Sequence, residues 1–158
     1  MNTAHIYNLV GNTWLEYENF QIIDNIITAI KSTFVYSSSR KRRWLDHLSS
    51  HMSDDEYIQL TLPPSPVKTR WFSWFRFIIW MKPYLKYLIT FYQKEKELLD
   101  PSKAVINLAN WFSNSDTVIH IELITMFIIC KVLQQTPVPQ IFGQLIASMP
   151  AAEQLLKQ

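Results

Sequence analysis

Only two glycines, Gly11 and Gly143, occur in 158 residues, and neither stands near another. That removes the Gly-x-Gly-x-x-Gly turn and the Walker-type phosphate loop, both of which need clustered glycines to bring backbone close to phosphate. It also removes the Asn-Gly and Asp-Gly pairs that close tight β-hairpins through positive φ. With 48% hydrophobic residues rich in isoleucine and leucine, the expected class is mainly α, a helical bundle. A chain of this length buries roughly 70% of its unfolded surface. The nine phenylalanines, seven tyrosines and six tryptophans supply a core able to offset the ordering entropy. A single cysteine, Cys130, excludes an internal disulfide framework and a cysteine-based zinc ribbon.

The first residues, MNTAHIYNLVGNTW, lack the basic head and apolar stretch of a secretory signal. Residues 71–92 are aromatic but carry Arg76, Lys82, Pro83 and Lys86. Residues 118–133 are apolar but carry His120, Glu122 and Lys131, and their 16 positions fall short of the roughly 20 that span a bilayer. Both read as core helices of a soluble protein, with no membrane partner.

Thr13 and Glu16 have capping-box spacing. Phe20, Ile22, Ile23, Ile26, Ile27, Ile30 and Phe34 then recur as the stripe of an amphipathic helix. The serines at 37–39 break it, and a basic helix over 40–52 follows with Trp44, Leu45 and Leu48 on its apolar side. Ser53 and Glu56 repeat the capping spacing and predict a short helix to about Leu60. Pro63, Pro64 and Pro66 make 61–67 an extended linker. This is the one boundary the sequence suggests, giving segments 1–62 and 63–158. A helix over 69–80 meets Pro83, which kinks it or restarts it as 84–99. Asp100 before Pro101 reads as an N-cap and first helical position for a helix to about Phe112. Ser115 or Asp116 caps a helix ending near Gln135, although its β-branched run at 119–129 also resembles a buried strand. Pro137 and Pro139 precede a last helix over 140–149.

The charge is uneven. Residues 1–30 hold three acids and no base, whereas residues 31–70 hold seven bases and four acids. Arg40, Lys41, Arg42 and Arg43 are the densest group, suited either to a polyanion backbone or to a solvated helix start. Lys68, Arg70 and Trp71 set cations beside a large ring, the pairing that holds nucleic-acid backbones and stacks on bases. Trp74 and Phe77 read as core. His47 and His51 have helical metal-site spacing, but with no third ligand nearby they read as two solvent-facing histidines. Cys130 lies in an apolar run, where a thiol is inert. Asp54, Asp55 and Glu56 are adjacent, point in different directions on a helix, and read as first-turn acids. No catalytic group, metal site or cofactor is expected.

Two segments carry a resemblance. Asn2, His5, Asn8 and Leu9 occupy the positions of the "(Cys/Asp)-x-x-His-x-x-Asn-Leu" segment of hAT-family DNA transposases. Thr69, Arg70, Trp71, Ser73 and Trp74 resemble the Thr-Arg-Trp-x-Ser-Trp segment that follows in that family after a long amphipathic helix. The resemblance implies a ribonuclease H-like catalytic domain split by an all-α insertion domain, with residues 1–62 similar to the end of its first part and 63–158 to the insertion. The family's three magnesium-binding carboxylates would lie outside this slice. Asn2 stands where the family has Cys or Asp, which weakens a catalytic role for His5. The family's tryptophan associated with a flipped base corresponds to Trp71.

The expected function is therefore a transposase-derived fragment, not an enzyme, binding DNA weakly through Arg40 to Arg43, Lys68, Arg70 and Trp71. The alternative is a helical protein-interaction module for itself, a full-length transposase or a host protein, with some of Trp71, Phe72, Trp74, Phe75 and Trp80 left exposed. No small-molecule substrate is expected. The resemblance implies the nucleus, otherwise the cytoplasm.

Overall fold

The computed structural model describes residues 18–52, 58–65 and 71–135. Five helices account for most of them: α1 (Glu18–Val35), α2 (Ser38–His51), α3 (Trp71–Lys96), α4 (Lys103–Ser113) and α5 (Ser115–Gln135). The protein is mainly helical, and no strand occurs among the described residues. The β-branched run in α5 is helical, since each turn buries Ile121, Ile124, Ile128 and Ile129 at helical spacing.

The helix boundaries follow from local chemistry. Tyr36 turns the chain after α1, and the Ser37 hydroxyl accepts the Arg40 amide at 3.2 Å to cap α2. At α4 the cap is Ser102, whose hydroxyl accepts the Val105 amide at 3.4 Å, and not Asp100 as the sequence suggests. Asp100 instead takes φ 56°, a left-handed conformation that a short polar side chain tolerates, and reverses the chain after α3. The Asn114 side chain accepts the Thr117 amide at 3.1 Å and caps α5.

Pro83 does not restart the helix, and α3 is continuous through it. The lost amide donor costs an isolated helix about 3 kcal/mol. Here both sides are held in the core, by Phe77, Ile78 and Met81 before the proline and by Tyr84, Leu85 and Leu88 after it. The helix stops at Lys96, short of the expected Leu99.

α3 is the element on which α2, α4 and α5 all dock, while α1 packs on α2, α4 and α5. Ile23, Ile26, Ile27, Ile30 and Phe34 of α1 are buried as their stripe predicts. One core cluster joins these to Trp44, Ile58 and the inner face of α3, so apolar residues from both sides of position 62 share one interior.

The predicted helix over 53–60 does not reach its far end. Ile58 to Leu60 are irregular, and 53–57, with Asp54, Asp55 and Glu56, lie outside the described residues. Residues 58–65 carry neither helix nor strand, in keeping with the prolines at 63 and 64, and this strap is pinned to aromatic side chains. The Thr61 carbonyl accepts the Trp44 indole N–H at 2.8 Å. The Thr61 hydroxyl accepts the Trp80 indole N–H at 3.0 Å. The Tyr84 hydroxyl exchanges hydrogen bonds with both backbone groups of Gln59, at 2.8 and 3.2 Å. Buried Tyr and Trp are tolerated only where their polar tips find partners, and the strap supplies three of them.

Candidate nucleic-acid interface

The basic run at 40–43 sits on the first turns of α2. Helical spacing divides it, because residues three apart share a face and adjacent ones do not. Arg40 and Arg43 turn inward towards α3; Arg42 is exposed and Lys41 is half-buried. Both inward guanidiniums close on Glu95, a carboxylate only 3% exposed. Arg40 Nε donates to it at 2.9 Å, and Arg43 grips it in a two-pronged contact at 2.6 and 2.9 Å. Arg40 also donates to the Thr33 carbonyl near the end of α1.

Behind this cluster the Thr33 hydroxyl donates to the Ile30 carbonyl at 2.7 Å and accepts from the Tyr92 hydroxyl at 2.6 Å. Burial pushes the Tyr92 phenol well above its ordinary range, so it stays a neutral donor. Burial alone would raise the Glu95 carboxyl, but hydrogen bonds from Arg43 and then Arg40 outweigh it and hold the group below its usual value. The Glu95 hydrogen bond in turn raises Arg43. Two of the four cations of the basic run thus have an internal role, tying α1, α2 and α3 together.

Arg43 is the more open of the pair, 38% exposed against 17% for Arg40. It lines a shallow groove of about 340 Å³ between α2 and α3, shared with Asp46, His47, Lys94 and Glu95. Arg42 and Lys41 lie on α2 outside that groove, and Lys94 and Lys96 are exposed near the end of α3. Of the other predicted contacts, Lys68 and Arg70 lie outside the described residues. Trp71 opens α3, but its side chain also lies outside them, as does His5.

The histidine pair departs from expectation. His47 is buried, not solvent-facing, with Nε2 on the Tyr87 carbonyl at 3.1 Å and the Thr90 hydroxyl at 2.9 Å. His51 bonds through Nδ1 to the His47 carbonyl at 2.8 Å. The signal was local: His47 stands three residues after Trp44 and beside Leu48, on the apolar side of α2, and that side packs towards Phe91. Among the described residues no group of three or more His, Cys, Asp or Glu converges as a metal site. Cys130 is exposed on α5, so the apolar run around it does not enclose the thiol.

Burial, then the nearby Lys94 and His51 charges, push the His47 imidazole below its ordinary 6.5. The unfolded chain therefore takes up this proton first. Stability is constant above pH 6.5 in this respect and declines as pH falls from there to the lowered value. The urea midpoint of the wild type is expected to fall over this range. His47→Gln, which keeps a donor for the Tyr87 carbonyl, should flatten that part of the profile; an unchanged profile would show that His47 stays accessible to protons.

Trp74 and Phe77 are buried, as core residues should be, while the side chains of Trp71 and Phe72 lie outside the described residues. Phe75 and Trp80 are buried too, and the Trp74 indole N–H donates to Asp24 at 3.1 Å. Glu95 itself was legible but unread. It stands three residues after Tyr92 and seven after Leu88, on the apolar stripe of α3, where an acid needs a cationic partner.

Compared with known protein families, curated proteins and solved structures, the chain matches none of them. Among the described residues no helix is long and apolar enough to cross a membrane.

Proposed function

We propose that this chain is a transposase-derived helical module that performs no catalysis and binds DNA weakly through its phosphate backbone. One observation carries the DNA contact: α2 directs Lys41 and Arg42 away from Glu95, on the same segment as the partly open Arg43, with Lys94 across the groove. Cations without an internal carboxylate are the ones able to release counterions from phosphate. Arg40 is the least suited of the four, because both of its donor edges are engaged within the fold. The transposase origin rests on the two sequence segments around His5 and Trp71, and a nuclear location follows from the same resemblance. Lys68, Arg70 and Trp71 extend the contact in this reading, Trp71 by stacking on unpaired bases.

Fluorescence anisotropy with duplex, hairpin and single-stranded DNA across a salt series tests the reading. Binding is expected at micromolar concentration in low salt and should weaken steeply as salt rises. Replacing Lys41 and Arg42 together by serine should lower the log–log salt slope by about 2, one for each phosphate no longer neutralised. Trp71→Ala should lose affinity for hairpin and single-stranded DNA while sparing duplex. Absence of binding at low salt, or binding indifferent to salt, would overturn the proposal.

A further inference from the structure

Ser65 differs from the other described serines. Ser37 and Ser102 cap helices, and the rest lie within helices. Ser65 is exposed at the end of the strap, where the chain is neither helix nor strand. Among the described residues, the hydrogen bonds that pin the strap fall on Gln59 and Thr61. Ser65 stands four residues beyond Thr61, a reach of at most about 14 Å. Leu62, between the last pin and the prolines, is itself 41% exposed. A hydroxyl placed in this way is open to an enzyme that must grip several residues on either side of it.

The sequence around this hydroxyl has a readable chemistry. Pro64 and Pro66 flank it, and Lys68 stands three residues after it. Ser-Pro-x-Lys is the pattern taken by proline-directed serine/threonine kinases that favour a basic residue at the third position. Such kinases require no amide donor from the residue after the acceptor, and proline has none. Thr136 is the one other hydroxyl residue followed by proline, and Pro139 occupies its third position. We infer that Ser65 is a phosphorylation site for a kinase of this class. The step moves the γ-phosphoryl group of ATP to Ser65 Oγ. The Oγ–P bond forms, the bond from phosphorus to the β,γ-bridging oxygen breaks, the hydroxyl proton passes to the kinase's catalytic aspartate, and ADP leaves. The product carries about −1.5 to −2 charges at pH 7. In the sequence this charge falls three residues before Lys68 and five before Arg70, so it offsets the two cations that precede Trp71. Phosphorylation therefore weakens the DNA contact of this segment, a consequence that rests on the DNA-binding proposal above.

Incubating the folded wild type with a purified cyclin-dependent kinase and ATP should add phosphate that mass spectrometry of the digest locates at Ser65. Ser65→Ala and Pro66→Ala should each remove most of the incorporation, Lys68→Ala should slow it several-fold, and Thr136→Ala should leave it unchanged. No phosphate on Ser65, or incorporation that Ser65→Ala leaves intact, overturns the site. The phosphorylated protein should bind duplex DNA about tenfold more weakly in low salt than the unphosphorylated one, with a log–log salt slope lower by about 2. Equal affinities of the two forms overturn the consequence for DNA. Failure of the unphosphorylated protein to bind DNA overturns the DNA-binding proposal and this consequence with it. The site is then still decided by phosphate incorporation, which is measured without DNA.

Discussion

Replacing Trp44 by alanine is expected to destabilise the protein by about 4 kcal/mol, within the range for deleting a large buried aromatic. The side chain has no exposed surface and is the hub of the aromatic core. Its ring meets Phe91 edge-on at 5.2 Å and Phe34 at 6.2 Å, with Trp80 at 6.1 Å and Tyr84 at 6.3 Å. Alanine would also leave the Thr61 carbonyl without the indole donor that pins the strap. Against a typical total of about 5–15 kcal/mol, such a loss should populate unfolded chain measurably at moderate temperature. Trp44→Phe keeps most of the packing and should cost about 1–2 kcal/mol, the hydrogen bond and part of the ring. Urea unfolding of both variants gives the comparison. A Trp44→Ala loss below about 1 kcal/mol would mean that α2 does not dock as described.

Glu95→Gln should cost about 2 kcal/mol, less than the loss expected at a fully buried pair because Arg43 is partly screened by solvent. The neutral amide leaves two guanidiniums facing each other across a nearly closed site, and their mutual repulsion adds to the lost attraction. The pH dependence has a definite sign. Since the folded carboxyl lies below its ordinary 4.5, the unfolded chain binds this proton first. The stabilisation is complete above that value and is lost as pH falls through the folded one. The wild-type urea midpoint should therefore drop below about pH 4.5, and the Glu95→Gln profile should drop less. Replacing Arg40, Arg43 and Glu95 together by methionine should recover much of the stability, as apolar packing often substitutes for a buried ion cluster. No recovery would mean that the cluster is better than a packed apolar site of its size.

The acid and histidine effects occupy separate windows. His47 acts below pH 6.5 and Glu95 below about 4.5, so a single titration of stability resolves both. The triad also constrains the DNA experiment. A charge-removing change at Arg40 or Arg43 alters the fold and the binding surface together, whereas changes at Lys41 and Arg42 leave Glu95 fully paired.

The helical class, the stripe of α1 and the break in helix at 61–65 were determined by sequence alone. Glycine scarcity removes the hairpin alternatives, helical periodicity places one face inward, and proline forbids helix in the strap. These are local constraints, set by backbone sterics and by residues within a turn of each other. The continuity of α3 through Pro83 was decided by tertiary structure, since only packing on both sides offsets the missing hydrogen bond. So was the placement of the α4 cap at Ser102, two residues past the apparent signal, once Asp100 is needed to reverse the chain. The division of the basic run was decided in the same way. Sequence shows four cations in a row, but which of them face DNA depends on a carboxylate that lies more than 50 residues away and meets them only across the α2–α3 interface. Charge is a property of the residue; whether it is free to act depends on what the fold places opposite it.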